Sequence, residues 1–298
     1  MIAFGSPITQ REVYDRCAAP GIARAREDDS VALAGPAKGT IFESYNDLLQ
    51  QAAALDDLEA LVLIHQDTEI VDVDFTAKVR AAVADPEVGL VGCVGSIGVR
   101  SIAWWEGSVT QASFIHRYHE HGGGDVQAFS WAWGDAPAYA RLGEVETLDG
   151  FLLVLSPWVV RNLRFDEALG RLHGYDLDFC LQVREAGKKV VTADVRAIHH
   201  HSLDPISEPE EWIQAHIDIA EKWDGRMPGM GSAPGTWKER ARRAEAEAEA
   251  AWAQGHKHRL EVHARIDDLQ RALDVMHTSV SWRIGAPLRL LERRKAER

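Results

Sequence analysis

The chain has 298 residues, 46% of them hydrophobic and 27% charged, which is ample for one large domain or two moderate ones. No apolar run is long enough to span a bilayer, and the opening MIAFGSPITQ lacks the basic-then-apolar layout of a secretory signal, so a cytoplasmic protein is expected. The net charge of −13 divides along the chain: residues 1–225 carry 18 Lys+Arg against 36 Asp+Glu and residues 226–298 carry 15 against 10, an acidic body that argues against general nucleic-acid binding.

In chain order, IAF (2–4), SVALA (30–34), LVLI (61–64) and VGLVGCV (88–94) have the length and β-branched content of buried strands. Helix-period stretches lie between them. The clearest follows Thr40, with Glu43 at capping-box spacing, and leads into IFESYNDLLQQAAAL; a second covers 74–84. This alternation predicts an α/β fold, a Rossmann-like, mostly parallel sheet with helices on both faces, whose ligand sits at the carboxyl ends of the strands. His65-Gln66-Asp67 stands just past one such end.

Residues 100–145 are aromatic-rich with no sustained period and read as a long excursion over the site. ETLDGFLLVLS (146–156) reads as a strand followed by a turn, GYDLDFCLQVREAGKK as a helix stopped near Gly187, and KVVTADVRAI (189–198) as a strand ending in His199-His200-His201. A last helix is expected over 207–223, with Ser207 and Glu210 at capping-box spacing. A catalytic domain over 1–225 would then be followed by a Gly/Pro linker at 226–236.

Beyond the linker, 237–280 reads as a charged helix. Val262, Ile266, Leu269, Leu273, Met276 and Val280 recur at spacings of four and three, a short coiled-coil seam that would mediate a homodimer or pack back on its own domain. The basic amphipathic tail 281–298, SWRIGAPLRLLERRKAER, suits either an anionic membrane surface or plain solvent. Cys17, Cys93 and Cys180 are odd in number and widely spaced, so neither a disulfide framework nor a zinc ribbon is indicated.

Acids and histidines gather at four points beside predicted strand ends or helix starts: His65/Asp67, Asp149, Asp176/Asp178 and the His199–His201 triplet. A carboxylate and an imidazole can hold a divalent cation against a diphosphate, leaving another carboxylate free to act as a base. Period two sends His199 and His201 to one side of a strand and His200 to the other, so only part of the triplet can face one site. Each point also has an ordinary reading: turn-forming aspartates, a helix-start carboxylate at Asp176, and a structural role for Asp178. His116, His119 and His121 could form a zinc cluster or lie exposed. Trp131 and Trp133 could stack on a sugar or fill a core.

GTIFESYNDLL, LVLIHQDTEI, VETLDGFLLVLS, HGYDLDFCLQVREAGKKVV and the histidines before Ser202, taken in that order over roughly residues 1–205, resemble the inverting family-two glycosyltransferases with the A-type nucleotide-diphospho-sugar fold. The branch is the one with HQD where most members have an acid-x-acid motif. The resemblance implies that Asp67 and a triplet histidine, His200 ahead of His201, bind Mn²⁺ or Mg²⁺ bridging the diphosphate of a nucleotide-sugar donor. It implies Asp176 as the base acting on a glycan or lipid-linked acceptor, and Asp149 lining the donor-sugar cleft. Phe4, Gly5, Ser6, Gly39, Asn46 and His65 would surround the nucleotide. This chain departs from the pattern at His65, where an acid is usual, at Tyr175, where a Glu usually precedes the base, and in LAGPAKG, which has no Asp to read the base. A peripheral location at the inner membrane face follows from the same likeness. The substitution at His65 leaves one rival, a catalytically inactive sugar- or nucleotide-binding assembly module.

Overall fold

The computed structural model describes residues 1–104, 108–110, 114–118, 124–127, 143–200, 209–228, 237–280 and 282. The chain divides into two compact units, Met1–Ser232 and Ala233–Arg298.

A seven-stranded sheet organises the first unit. In spatial order its strands are Glu144–Val145, Lys189–Thr192, Val88–Gly92, Leu152–Leu155, Ala60–Ile64, Ile2–Gly5 and Val31–Ala32. Five run in one direction; Leu152–Leu155 and Glu144–Val145 run against them. The fold is therefore α/β with a mostly parallel central sheet and helices around it. Ile2–Gly5, Ala60–Ile64, Val88–Gly92 and Leu152–Leu155 are buried at every residue, which is why they read as unbroken apolar runs without alternation. SVALA yields only the two residues Val31–Ala32, half exposed at the sheet edge.

Two expected strands are each broken in two, and both breaks matter for the site. Within 146–156, Thr147–Leu148 pairs with Gly95–Ile97 in another sheet, and Leu152–Leu155 enters the centre. Asp149-Gly150-Phe151 forms the joint between them. Within 189–198, Lys189–Thr192 joins the central sheet, while Ala197–His199 pairs with Thr68–Ile70 and Phe114–Tyr118 in a second sheet.

The helix Ile41–Ala53 carries the expected capping box: Glu43 N–H donates to Thr40 Oγ1 at 3.2 Å and Thr40 N–H to Glu43 Oε2 at 2.7 Å. Gly39 sits at φ +58°, a left-handed conformation that residues with a Cβ rarely adopt, and a Cβ there would also displace Glu43 Oε2 from the capping box. Helices Phe75–Val83 and Tyr175–Glu185 fall where the periodicity puts them. Three further helices, Arg11–Arg16, Ala18–Ala25 and Pro157–Asn162, had no expectation, the last where only a turn was read. The last helix of the unit runs Pro209–Lys222, and Ser207 lies outside the described residues.

Asp178 serves the fold. Its 1% exposed carboxylate accepts Trp223 Nε1–H at 2.8 Å and Gln182 Nε2–H at 2.7 Å, and Lys222 Nζ stands 2.7 Å away. It thus anchors the end of the Pro209–Lys222 helix to Tyr175–Glu185. An indole N–H left buried without an acceptor would cost roughly 1–3 kcal/mol, which this contact avoids.

The second unit contains one long helix, Trp237–Thr278. Val262, Ile266, Leu269, Leu273, Met276 and Val280 are exposed on it or just beyond its end. Residues 229–236 and 283–298, covering most of the expected linker and tail, lie outside the described residues. Among the described residues no helix is long and apolar enough to cross a membrane.

Candidate active site

The buried strand Ala60–Ile64 ends at His65, the first residue along it that can meet a polar ligand. The chain then turns, with Thr68 N–H donating to His65 O at 3.1 Å, and continues as the short strand Thr68–Ile70. That strand pairs antiparallel with Ala197–His199 in a register that sets His199 opposite Thr68, and His200 N–H donates to Asp67 O at 2.8 Å. Strand pairing, rather than chain proximity, brings the histidine triplet to the HQD turn.

The alternation of side chains then sorts the histidines. His199 faces Asp67, with Nε2 3.6 Å from Oδ1, and its ring stacks on Phe151 at 4.5 Å between centroids and 22° between planes. His200 lies on the other side, its Nε2 3.3 Å from Glu69 Oε2. The imidazole that the register delivers to Asp67 is therefore that of His199, while that of His200, the one expected as a ligand, meets Glu69 instead. His201 lies outside the described residues.

His65 Nδ1 completes the group at 4.0 Å from Asp67 Oδ1. One ligand atom each from His65, Asp67 and His199 fall within 4.8 Å of one another. Asp67 Oδ1 is buried with no hydrogen bond of ordinary length, the state of a carboxylate oxygen set up to meet a cation. Burial pushes the Asp67 carboxyl up, but His199 and then His65 outweigh it and hold it well below the usual carboxylate range. Burial likewise pushes His199 down, and Asp67 followed by Asp149 more than reverse this. Two imidazoles and a carboxylate this close together suit a divalent transition metal.

Gln66, between the two, has a task that no sequence signal announced. Its Oε1 accepts the N–H groups of Thr9 at 2.9 Å and Gln10 at 2.8 Å, and its Nε2–H donates to Thr9 Oγ1 at 2.7 Å. The amide binds the turn to the loop after Ile2–Gly5.

The joint at 149–151 brings the remaining acids in. Asp149 Oδ1 accepts Phe151 N–H at 3.3 Å; Asp176 Oδ2 accepts Gly150 N–H at 3.1 Å and its Oδ1 accepts Leu177 N–H at 2.9 Å. Burial raises both carboxyls, and the neighbouring charge of Asp149 adds to the rise at Asp176, which is pushed up to about 7. A carboxylate with that affinity for protons is suited to accept one from a substrate hydroxyl near neutral pH.

A cleft of about 290 Å³ opens over the HQD turn, lined among others by Pro7, Thr9, Gly39, His65, Asp67 and Arg171. Of the residues expected around a nucleotide, Gly39 and His65 line it. Phe4, Gly5 and Ser6 are buried below, the Phe4 ring meeting Phe75 in the core, so the wall begins at Pro7. Asn46 is a clamp instead: its Nδ2–H donates to Phe165 O at 2.9 Å and Glu167 Oε1 at 2.7 Å, and its Oδ1 accepts Phe165 N–H at 2.8 Å. His116 lies on the strand Phe114–Tyr118, but its side chain, with His119, His121, Trp131 and Trp133, falls outside what is described.

A family model described as "Glycosyltransferase like family" matches residues 36–215. The streptomycin biosynthesis protein StrF of Streptomyces griseus is 30% identical over 211 residues, covering 68% of this chain and 67% of that protein. The O-antigen biosynthesis protein RfbC of Myxococcus xanthus is 28% identical over 166 residues, 52% of this chain but 12% of its own length. Among solved structures, GalNAc-T7 with UDP, GalNAc and Mn²⁺ superposes with a TM-score of 0.51 at 9% identity, covering 76% of this chain and 48% of that one, a likeness of fold.

Proposed function

The chain belongs to the glycosyltransferase-like family, and from that premise we propose that it moves a sugar from a nucleoside-diphosphate donor to an acceptor hydroxyl with inversion at the anomeric carbon. The observation that carries the reading is the convergence of His65, Asp67 and His199 on one point, with Asp149 feeling the charge of Asp67 and His199, and Asp176 in turn feeling that of Asp149. In this reading those three residues hold Mn²⁺ or Mg²⁺ against the donor diphosphate. Such a cation, when bound, supplies positive charge to the departing diphosphate. Gly39, Thr9 and Arg171 border the space for the nucleotide. Asp176 takes the proton of the acceptor hydroxyl as its oxygen attacks the anomeric carbon, and the bond to the diphosphate oxygen breaks on the far side. Gly150 and Leu177 N–H groups aim the Asp176 carboxylate.

The named relatives serve different pathways, streptomycin and O-antigen, so the family likeness supports sugar transfer more strongly than any one acceptor. A glycan or lipid-linked acceptor is the proposal here. Because two of the three donors are imidazoles, Mn²⁺ should bind more tightly than Mg²⁺. Isothermal titration of each ion with a panel of nucleoside diphosphates is the test. Absence of any diphosphate binding with either ion would defeat the reading, and tight binding without transfer or donor hydrolysis would favour a binding module.

The exposed seam Val262–Val280 supports self-association of the Trp237–Thr278 helix. Sedimentation equilibrium of the full chain should give a dimer that Leu269→Glu with Leu273→Glu dissociates; a wild-type monomer at high concentration would reject it.

A further inference from the structure

Tyr175 opens the helix that carries Asp176, and its ring is 6% exposed. Three aromatics hem it in: Phe42 at 6.2 Å and 84°, Tyr45 at 5.5 Å and 76°, and Phe165 at 6.2 Å and 54°. Its hydroxyl emerges from this enclosure 2.7 Å from His65 Nε2. Gly150 makes that reach possible, since a Cβ there would lie 2.1 Å from the hydroxyl and 2.4 Å from the ring carbon that bears it. A ring so walled cannot step aside. Residues from three separate segments thus meet at a single hydrogen bond, on the side of the imidazole away from the nitrogen that faces Asp67.

We infer that Tyr175 is a positioning residue that keeps the proton of His65 on Nε2 and thereby presents Nδ1 as a lone pair toward Asp67 and His199. The inference rests on the reading of that cluster as a cation site. A neutral imidazole carries one protonated and one bare nitrogen, and only the bare one can ligate. Nδ1 is the nitrogen on the Asp67 side, 4.0 Å from Oδ1, so ligation through it requires the proton on Nε2, and the phenolic oxygen, able to donate or accept, then accepts that N–H across 2.7 Å. A hydrogen-bond partner on the outer nitrogen is the common means of orienting a metal-binding histidine, and losing it costs about 10–100-fold in metal affinity. The contact also ties two parts of the site together. Gly150, which gives the hydroxyl its room, donates its N–H to Asp176, so the spacing that orients the imidazole also aims the carboxylate.

The test is Tyr175→Phe in the full chain, which keeps the ring in its aromatic enclosure and deletes only the hydroxyl. Titration with Mn²⁺ alone should give an affinity about 10–100-fold below wild type. In ¹⁵N–¹H spectra of the metal-free wild type at pH 8, the His65 ring, assigned by its loss in His65→Asn, should show the Nε2–H form; in Tyr175→Phe it should become a mixture of the two forms. A wild-type ring protonated on Nδ1, or equal Mn²⁺ affinity in wild type and Tyr175→Phe, overturns the inference. A wild type that binds no Mn²⁺ at all overturns the cation reading itself, and is thereby told apart from the other failure.

Discussion

Asp176→Asn is expected to lower sugar transfer by about 10²–10⁴-fold, the usual worth of a positioned general base, while leaving donor and cation binding close to wild type. The same substitution should stabilise the protein at alkaline pH. Burial and Asp149 push the Asp176 carboxyl up to about 7 in the folded chain, against about 3.9 for an aspartate in the unfolded one. Between those values the native state holds a proton that the unfolded state has released, so stability falls as pH rises from about 4 to about 7 and stays reduced above. Asparagine carries no charge to bury. Thermal melts of the metal-free protein should therefore match wild type near pH 4 and exceed it at pH 8, by about 5 °C or more. Activity follows the opposite course, with a rising limb near pH 7 that the variant lacks. Transfer within tenfold of wild type would remove Asp176 from the base role; loss of both activity and stability at pH 8 would make it a structural carboxylate.

The second large effect separates two adjacent histidines. His199→Ala and Asp67→Asn should each weaken Mn²⁺ binding by more than the roughly 10–100-fold that an outer hydrogen-bond partner is worth, with transfer falling in parallel. His200→Ala, which removes a ring paired with Glu69, should leave both nearly unchanged. The pH dependence has a definite sign. Burial works against the charged His199 ring, but the contact with Asp67 and the charge of Asp149 raise its proton affinity above that of an ordinary histidine, about 6.5. That proton must leave before Nε2 can ligate, so Mn²⁺ affinity should climb as pH rises through the range above 6.5. Titrations at several pH values on the three variants check this, and an inverted ranking, with His200→Ala the damaging change, would refute the assignment.

Much of the sheet was legible because its central strands are buried on both faces and read as plain apolar runs. The HQD turn was legible for the same reason: polarity resumes abruptly after Ile64. Thr40 and Glu43 declared their helix through a local motif, which needs no tertiary knowledge. What stayed hidden depended on pairing. Whether His199 or His200 meets Asp67 is decided by a register with Thr68–Ile70, and a shift of one residue would exchange them. Within 146–156 the Asp149-Gly150 pair is a local turn signal, but that the segment makes two strands follows from Thr147–Leu148 finding partners in a different sheet. Gln66 and Asn46 gave no sign of their amide clamps, since both act on backbone far away in sequence. The burial of Phe4 was legible in the apolar run IAF, and its ring packs against Phe75 in the core.

The reversed strand Leu152–Leu155 also bears on how the molecule can be made. It sits between Ala60–Ile64 and Val88–Gly92, both of which leave the ribosome well before it. Until it arrives, two apolar edges stand open with no bridge between them, a pairing of high contact order and an invitation to wrong partners. Closure of the sheet is thus a late event in synthesis, and the same arriving segment carries Asp149 and Gly150 into position.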